Sequence, residues 1–387
     1  CAGRKAKGDH AMRRCIQTLC KTLTSAATVA LTATALWSQQ PSITWLGTLG
    51  GDFSSAFGAS ADGSVVVGLA RDADGRDLAF RWTAVGGMQN LGTLGGDLSQ
   101  ASGVSADGTV VVGAATNPDG QFRAFRWTAA DGMQVLGTLG GDLSQASAVS
   151  ADGSVVVGGS DNADGQFRAF RWTAADGMQD LGTLGGSLSQ ASGVSADGTV
   201  VVGKAENATG QLRAFRWTAA DGMQDLNVSD DYDSVAWSVS ANGAVVVGWV
   251  GSADGQIRAF RWTAAGGAQD LGVLSEGAWS EAYSTSADGS VVVGWAGDAD
   301  GQLRAFRWTA ADGMQDLNRV YARLLSDGSE LFAAYAVSAN GRYIVGLGRN
   351  AATGRTEAYL LDTVPEPASL IALGAGFAGL LTRRRKR

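Results

Sequence analysis

The stretch "GQFRAFRWTAADGMQDLGTLGG" (Gly165–Gly186) decides the fold, because nearly the same words begin again at Gly120, Gly210, Gly255 and Gly301. Trp82, Trp127, Trp172, Trp217, Trp262 and Trp308 mark the copies at spacings of 45, 45, 45, 45 and 46 residues. A second marker, Ala followed by Asp or Asn and then Gly, keeps the same phase at Asp62, Asp107, Asp152, Asp197, Asn242, Asp288 and Asn340. A fixed period of this size is the signature of a repeat architecture. Seven units fill residues 43–362; the seventh is longer and ends in "EAYLLD", with Tyr359 in the place of Phe306.

Each unit reads as four short strands, A to D: "QASGVSA", "TVVVG", "RAFRWT" and "MQDLG". Val, Thr, Phe and Trp suit a pleated, half-buried surface, and the Gly-containing punctuation between them suits hairpins. No helix-period stretch occurs between the two ends of the chain, and Pro is nearly absent, as strands that must all pair require. Four strands per roughly 45 residues is the arithmetic of a propeller blade. The expected fold is therefore all-β, a seven-bladed β-propeller, with a β-solenoid or stacked sandwich as the alternative. The chain enters at Ile43–Gly47 on a D-type strand and leaves on a C-type strand, so its first strand can complete its last blade.

Composition narrows the function. All three cysteines (Cys1, Cys15, Cys20) and the single histidine (His10) lie in the first 20 residues. The repeats thus have no thiolate nucleophile, no Cys/His zinc site and no imidazole base. Setting aside residues 1–38 and the basic end 368–387 leaves 19 basic against 36 acidic residues, a net charge of −17. Such a body argues against nucleic acid and anionic membrane surfaces as partners and suits one that attracts cations.

The two ends read as export signals. From Met12, a better start than Cys1, Arg13, Arg14 and Lys21 form a basic region, Leu23 to Leu36 an apolar one, and Ala33-Thr34-Ala35 a small-x-small cleavage site. Residues 1–38 are expected to be a signal peptide for the Sec translocon, with the recorded start misplaced. At the other end Pro365-Glu366-Pro367 is followed by an apolar run from Ala368 to Leu381 and a basic cluster that includes Arg383, Arg384 and Arg385. As a helix, that run would span roughly 21 Å against a hydrocarbon core of about 30 Å. Residues 364–387 resemble the PEP-CTERM sorting signal of Gram-negative bacteria, matching its three parts in order. The resemblance implies transient anchoring in the inner membrane through a single hydrophobic helix. It also implies cleavage near Pro365 by an exosortase-type protease, then delivery to the cell surface or extracellular matrix.

The units themselves resemble the extracellular HAF repeat, most fully over residues 180–218. Where that family's name expects His-Ala-Phe, this chain has Arg123, Arg168, Arg213, Arg258 and Arg304, and Leu78 in the first unit. The resemblance implies an exported repeat protein and no catalytic activity. Because the Phe and Trp of "RAFRWT" recur in almost every unit, they read as blade core, with the Arg between them expected to pair with the Asp of the Ala-Asp-Gly turn. The Asp-rich loops at 71–77, 161–166 and 297–302 are the places where calcium could bind. They lack the twelfth-position Glu of an EF-hand and read as hairpin turns, so no cofactor is expected.

Function is expected where the repetition fails. The D-to-A loop is a nearly constant "GTLGGDLSQ" in units one to four, but "NVSDDYDSV" (227–235) in unit five and "GVLSEGAWSEA" (272–282) in unit six. Unit seven inserts "NRVYARLLSDGSEL" (318–331). Units five and six also add Trp237, Trp249, Trp279 and Trp295. Asp231, Tyr232, Asp233, Trp249, Glu276, Trp279, Glu281 and Trp295 are the candidate ligand patch. Indole faces stack on sugar rings and carboxylates accept from hydroxyls, which points to an extracellular polysaccharide. The expected protein is a monomeric, non-catalytic structural or carbohydrate-binding propeller. The alternative is a secreted carbohydrate-active enzyme using Asp or Glu on one face.

Overall fold

The computed structural model describes residues 40–276 and 278–363. The expected signal peptide, with Met12, and the sorting tail, with Pro365, Glu366, Pro367 and Arg383–Arg385, lie outside the described residues. Apart from a four-residue helix, α1 (Leu317–Val320), the described elements are strands. No helix among the described residues is long and apolar enough to cross a membrane.

The chain opens with β1 (Ser42–Trp45). Unit one follows as β2 (Gly50–Ala59), β3 (Val65–Asp72), β4 (Asp77–Thr83) and β5 (Gly87–Asn90), joined in chain order as an antiparallel sheet. Units two to six repeat this as five separate four-stranded sheets. The last three strands, Glu330–Val337, Tyr343–Asn350 and Arg355–Asp362, take β1 as their fourth member, through the antiparallel register Ser42↔Asp362 to Trp45↔Tyr359. A lone parallel pair, Phe53↔Thr356, ties this sheet to unit one. Many four-stranded antiparallel sheets in tandem are consistent with a β-propeller.

Local chemistry explains the repeated words. In the turn after each A strand, the Ser60 hydroxyl donates to Asp62 (2.8 Å), which also accepts from the Ser64 N–H (3.0 Å). The Ser60 Oγ in turn accepts from the Val65 N–H at 3.0 Å. The same three bonds recur at Ser105–Asp107 and at Ser240–Asn242. The marker can therefore be Asp or Asn, since either side chain closes the turn on its own backbone. Its Gly is fixed twice over. Gly108 has φ of +73°, and a Cβ there would lie 2.4 Å from Val65 Cγ2 of the unit before. Gly63 meets the Tyr343 ring of unit seven in the same way, so unit one stands on the last unit as every other unit stands on its predecessor. The A strands follow the same rule. Ser99 Oγ accepts from the Ala79 N–H of unit one, and Ser54 Oγ accepts from the Ala358 N–H of the last strand, both at 2.8 Å.

Packing between units supplies the core. Val65, Val67 and Ala79 of unit one meet Ala101, Val111, Phe125 and Trp127 of unit two, and equivalent clusters recur along the chain. Phe80, Phe125, Phe170, Phe215, Phe260 and Phe306 are almost wholly buried. Of the repeated tryptophans, Trp82, Trp127 and Trp308 are buried, and Trp172, Trp217 and Trp262 are half-buried against the same clusters. The expected pairing of the neighbouring Arg with the turn Asp is corrected. Arg81, Arg126, Arg171 and Arg261 each donate to the carbonyl of the turn Gly in the next unit (Gly108, Gly153, Gly198 and Gly289), at 3.1–3.4 Å. The Asp is already engaged by its own turn, which leaves the carbonyl as the acceptor facing the guanidinium. The unit-seven insertion also departs from the all-strand expectation. It forms α1 and a turn, and Leu317 and Leu325 are buried in one cluster with Val291 and Val293 of unit six and Leu331, Ile344 and Tyr359 of the last sheet.

Candidate functional site

Every A strand carries a β-bulge at one position, and that position makes the site. In unit two Ala101 pairs with Gly113 and Gly103 with Val112, leaving Ser102 as the extra residue. The same shift leaves Phe57, Ser147, Ser192, Trp237, Tyr283 and Tyr335 unpaired in the other units. A bulge re-aims its side chain, and here all seven bulge residues line one cavity of ≈ 540 Å³. A second cavity, of ≈ 280 Å³, is lined by the bulge residues and the strand ends beyond them, one segment from each unit. Backbone bonds link the units along that lining: Ala61 N–H donates to Ala106 C=O, Ala106 to Ala151, and so on to Ala287 and Ala339.

The wall of the larger cavity has two chemistries. Units two to four supply Ser102, Ser147 and Ser192, and two residues before each, Gln100, Gln145 and Gln190, with the Phe122 ring of unit two set among them. Units five, six, seven and one supply Trp237, Tyr283, Tyr335 and Phe57 as a continuous arc of rings. Trp237 and Tyr283 are near-parallel with centroids 5.6 Å apart. Tyr283 and Tyr335 meet edge to face at 5.2 Å, and Phe57 and Tyr335 are tilted at 51° with centroids 5.4 Å apart.

Behind the arc lies Glu281, only 5% exposed. It occupies the position that holds Gln in units two to four. The Trp237 indole N–H donates to its Oε1 at 2.7 Å, and the Tyr283 hydroxyl donates to its Oε2 at 3.1 Å. Burial pushes this carboxyl above the usual carboxylate range, while donation from Trp237, Tyr283 and Trp295 pulls the other way. Burial, and then the charge of Glu281, raises the Tyr283 hydroxyl; Tyr335 is raised by the same two causes. Lys204, register partner of Gln190 on the amide side, is half-buried, and its burial holds the ammonium below the usual lysine range.

The residues singled out by sequence fall into two groups. Trp279, Glu281 and Trp295 come together: Trp279 and Trp295 meet edge to face at 4.3 Å, and Trp295 pairs in register with Glu281. Trp249 is half-buried opposite Val235 and does not line the larger cavity. Asp231, Tyr232 and Asp233 lie in an exposed loop held against unit four. Asp233 accepts from the Leu212 N–H at 3.0 Å, the Asp231 carbonyl from Gln211, and the Tyr232 carbonyl from Arg213. Glu276 is exposed on the unit-six loop. The Asp-rich loops turn their acceptors inward: Asp72 Oδ1 takes the Asp74 and Arg76 N–H groups, and Asp298 Oδ1 those of Asp300 and Gln302.

Phe57, Tyr283 and Tyr335 are absent from the sequence-based patch. A readable signal exists nonetheless. Aligned on the turn motif, one column of the repeat reads Phe, Ser, Ser, Ser, Trp, Tyr, Tyr, between neighbours that scarcely change.

Residues 363–386 match the PEP-CTERM protein-sorting motif. That motif implies export through a membrane and processing by an exosortase on the way. No curated protein sequence matches the chain. Among solved structures, a puromycin hydrolase is similar with a TM-score of 0.52 at 14% identity, over 80% of this chain and 53% of that one. TolB from Acinetobacter baumannii has a TM-score of 0.43 at 18% identity, over 56% of this chain and 53% of that one. The BP39L lectin from Burkholderia pseudomallei has a TM-score of 0.49 at 9% identity, over 84% and 98%. The chain thus spans about half the length of the hydrolase and of that TolB. At these identities the likeness concerns fold alone.

Proposed function

We propose that this chain is an exported, non-catalytic propeller of seven HAF-type blades that binds carbohydrate in its central channel, at the cell surface or in the extracellular polysaccharide matrix. The observation that carries this reading is the asymmetry of the bulge column. A purely structural ring has no use for three Ser-and-Gln units facing four aromatic ones around a single cavity. Ring faces opposite amides and hydroxyls are the complement of a sugar, whose C–H face stacks and whose hydroxyls need both donors and acceptors. The alternative, a carbohydrate-active enzyme, calls for two carboxyl groups flanking a bond. Glu281 is the one carboxylate packed on the aromatic arc among the described residues, and it is held by that arc.

The test is retention of the purified protein on matrix polysaccharide, run beside an assay for released reducing ends. Binding without release is the expected result. Release that disappears in Glu281→Gln would favour the enzyme, and no retention on any polysaccharide would reject the carbohydrate reading.

A further inference from the structure

The carboxylate behind the rings says more than that a sugar could bind. Glu281 accepts from the polar edges of two adjacent rings, the Trp237 N–H and the Tyr283 O–H, while both rings line the cavity. Donating to an anion pushes electron density into a ring and strengthens the negative potential over its face, the feature that attracts cations. Tyr335 and Phe57 extend the same surface without a break. Among the described residues, none of the side chains lining this cavity is cationic. The body around it carries a large acidic excess, which raises the local concentration of positive ligands.

We propose that the channel recognises an ammonium group, presented by an amino sugar whose nitrogen is not acylated. The ammonium sits against Trp237, Tyr283 and Tyr335, with Glu281 supplying the countercharge through the ring edges, and the sugar hydroxyls meet Gln100, Gln145 and Gln190 across the cavity. This rests on the carbohydrate reading above for the sugar and on the aromatic arc for the charge. Lys204 stands with Gln190 on the other side, away from the cation's seat.

The experiment is a calorimetric titration of the folded protein with three probes: a glucosamine tetramer, its fully N-acetylated counterpart and tetramethylammonium. The glucosamine tetramer is expected to bind at least tenfold more tightly than the acetylated one. Glu281→Gln and, separately, Tyr335→Leu should erase that preference; the second leaves the buried hydrogen bonds in place, so the test survives if the first misfolds. Lys204→Gln should leave the preference for glucosamine intact, because that ammonium stands with Gln190 on the amide side. Equal or tighter binding of the acetylated tetramer overturns the ammonium assignment and leaves the carbohydrate reading standing. Binding of tetramethylammonium alone, lost in Tyr335→Leu, keeps the cation seat and rejects the sugar. Failure of all three probes overturns the proposal.

Discussion

Substituting Gly203 by Ala tests the reasoning that links the repeat to its packing. Gly203 ends the "VVVG" word of unit four and lies opposite the bulge at Ser192. A Cβ there would stand 2.0 Å from the Gln190 carbonyl oxygen, 2.9 Å from Ala191 Cα and 2.9 Å from the Phe215 ring. Relief requires the A strand to retreat by more than an ångström, yet that strand is paired on one side and lines the channel on the other. Overpacking of this kind costs about 3 kcal/mol. A domain of this length has an unfolding entropy of about 0.7 kcal/mol/K, so Tm should fall by roughly 4 °C. Gly210→Ala is the matched control. Its φ is +82° with nothing within 4 Å of the added atom, so it carries only the left-handed penalty of about 1 kcal/mol, or roughly 1–2 °C. Calorimetric melts of the two variants beside wild type provide the assay. A Gly203→Ala melt within 1 °C of wild type, or above that of Gly210→Ala, would refute the close-approach account.

Three further outcomes follow from the same geometry. Ser54→Ala strips the Ala358 N–H of its acceptor across the closing seam, and should cost about 1–3 kcal/mol in urea unfolding. Ser144→Ala, which strips Ala124 in the same way, should cost as much, and a neutral Ser54→Ala beside a costly Ser144→Ala would show the seam to be idle. Acid should destabilise the ring. The Ser150 hydroxyl first, then the Ser154 backbone N–H, lowers the Asp152 carboxyl to about 2, and Asp62, Asp107, Asp197 and Asp288 are lowered by equivalent turn bonds. A depressed folded pKa gives stability that is present above the ordinary Asp range and lost as pH falls through the folded value. Tm should therefore drop between about pH 4 and pH 2, and a Tm that held or rose over that window would contradict the turn account. Mass spectrometry of the exported protein should find a C-terminus upstream of the Arg cluster, whereas an intact Arg387 would reject exosortase processing.

Much of the strand order was legible because each unit repeats its punctuation in phase. The "RAFRWT-AADG-MQDLG" hairpin reads directly from the words, and Trp127↔Met133 and Thr128↔Gly132 are paired as it requires. The site was legible only in part. Trp279, Glu281 and Trp295 stand out as unit-specific residues, but loops drew attention to Asp233, whose carboxylate accepts from the Leu212 N–H, and to Asp231, whose carbonyl accepts from the Gln211 side chain. Tyr283 and Tyr335 escaped because alternation along a strand says which face a residue occupies, whereas a bulge suspends alternation at one position. A one-residue register shift leaves no mark in composition. It shows only when seven copies are set side by side and one column varies. The Arg-to-Gly carbonyl contacts were hidden for a related reason, since an Arg with an Asp nearby in the repeat invites an ion pair that the turn has already forestalled.

The most direct measurement of the central claim is to make the ring equal. Phe57→Ser, Trp237→Ser, Tyr283→Ser and Tyr335→Ser together give every unit the residue that units two to four already carry. Polysaccharide retention of this variant should be abolished. An Asp231→Ala/Asp233→Ala/Glu276→Ala variant, which leaves the channel intact, should be retained like wild type, with both variants shown to be folded by circular dichroism. Retention by the equalised ring, or its loss in the loop variant alone, would contradict the assignment of binding to the channel.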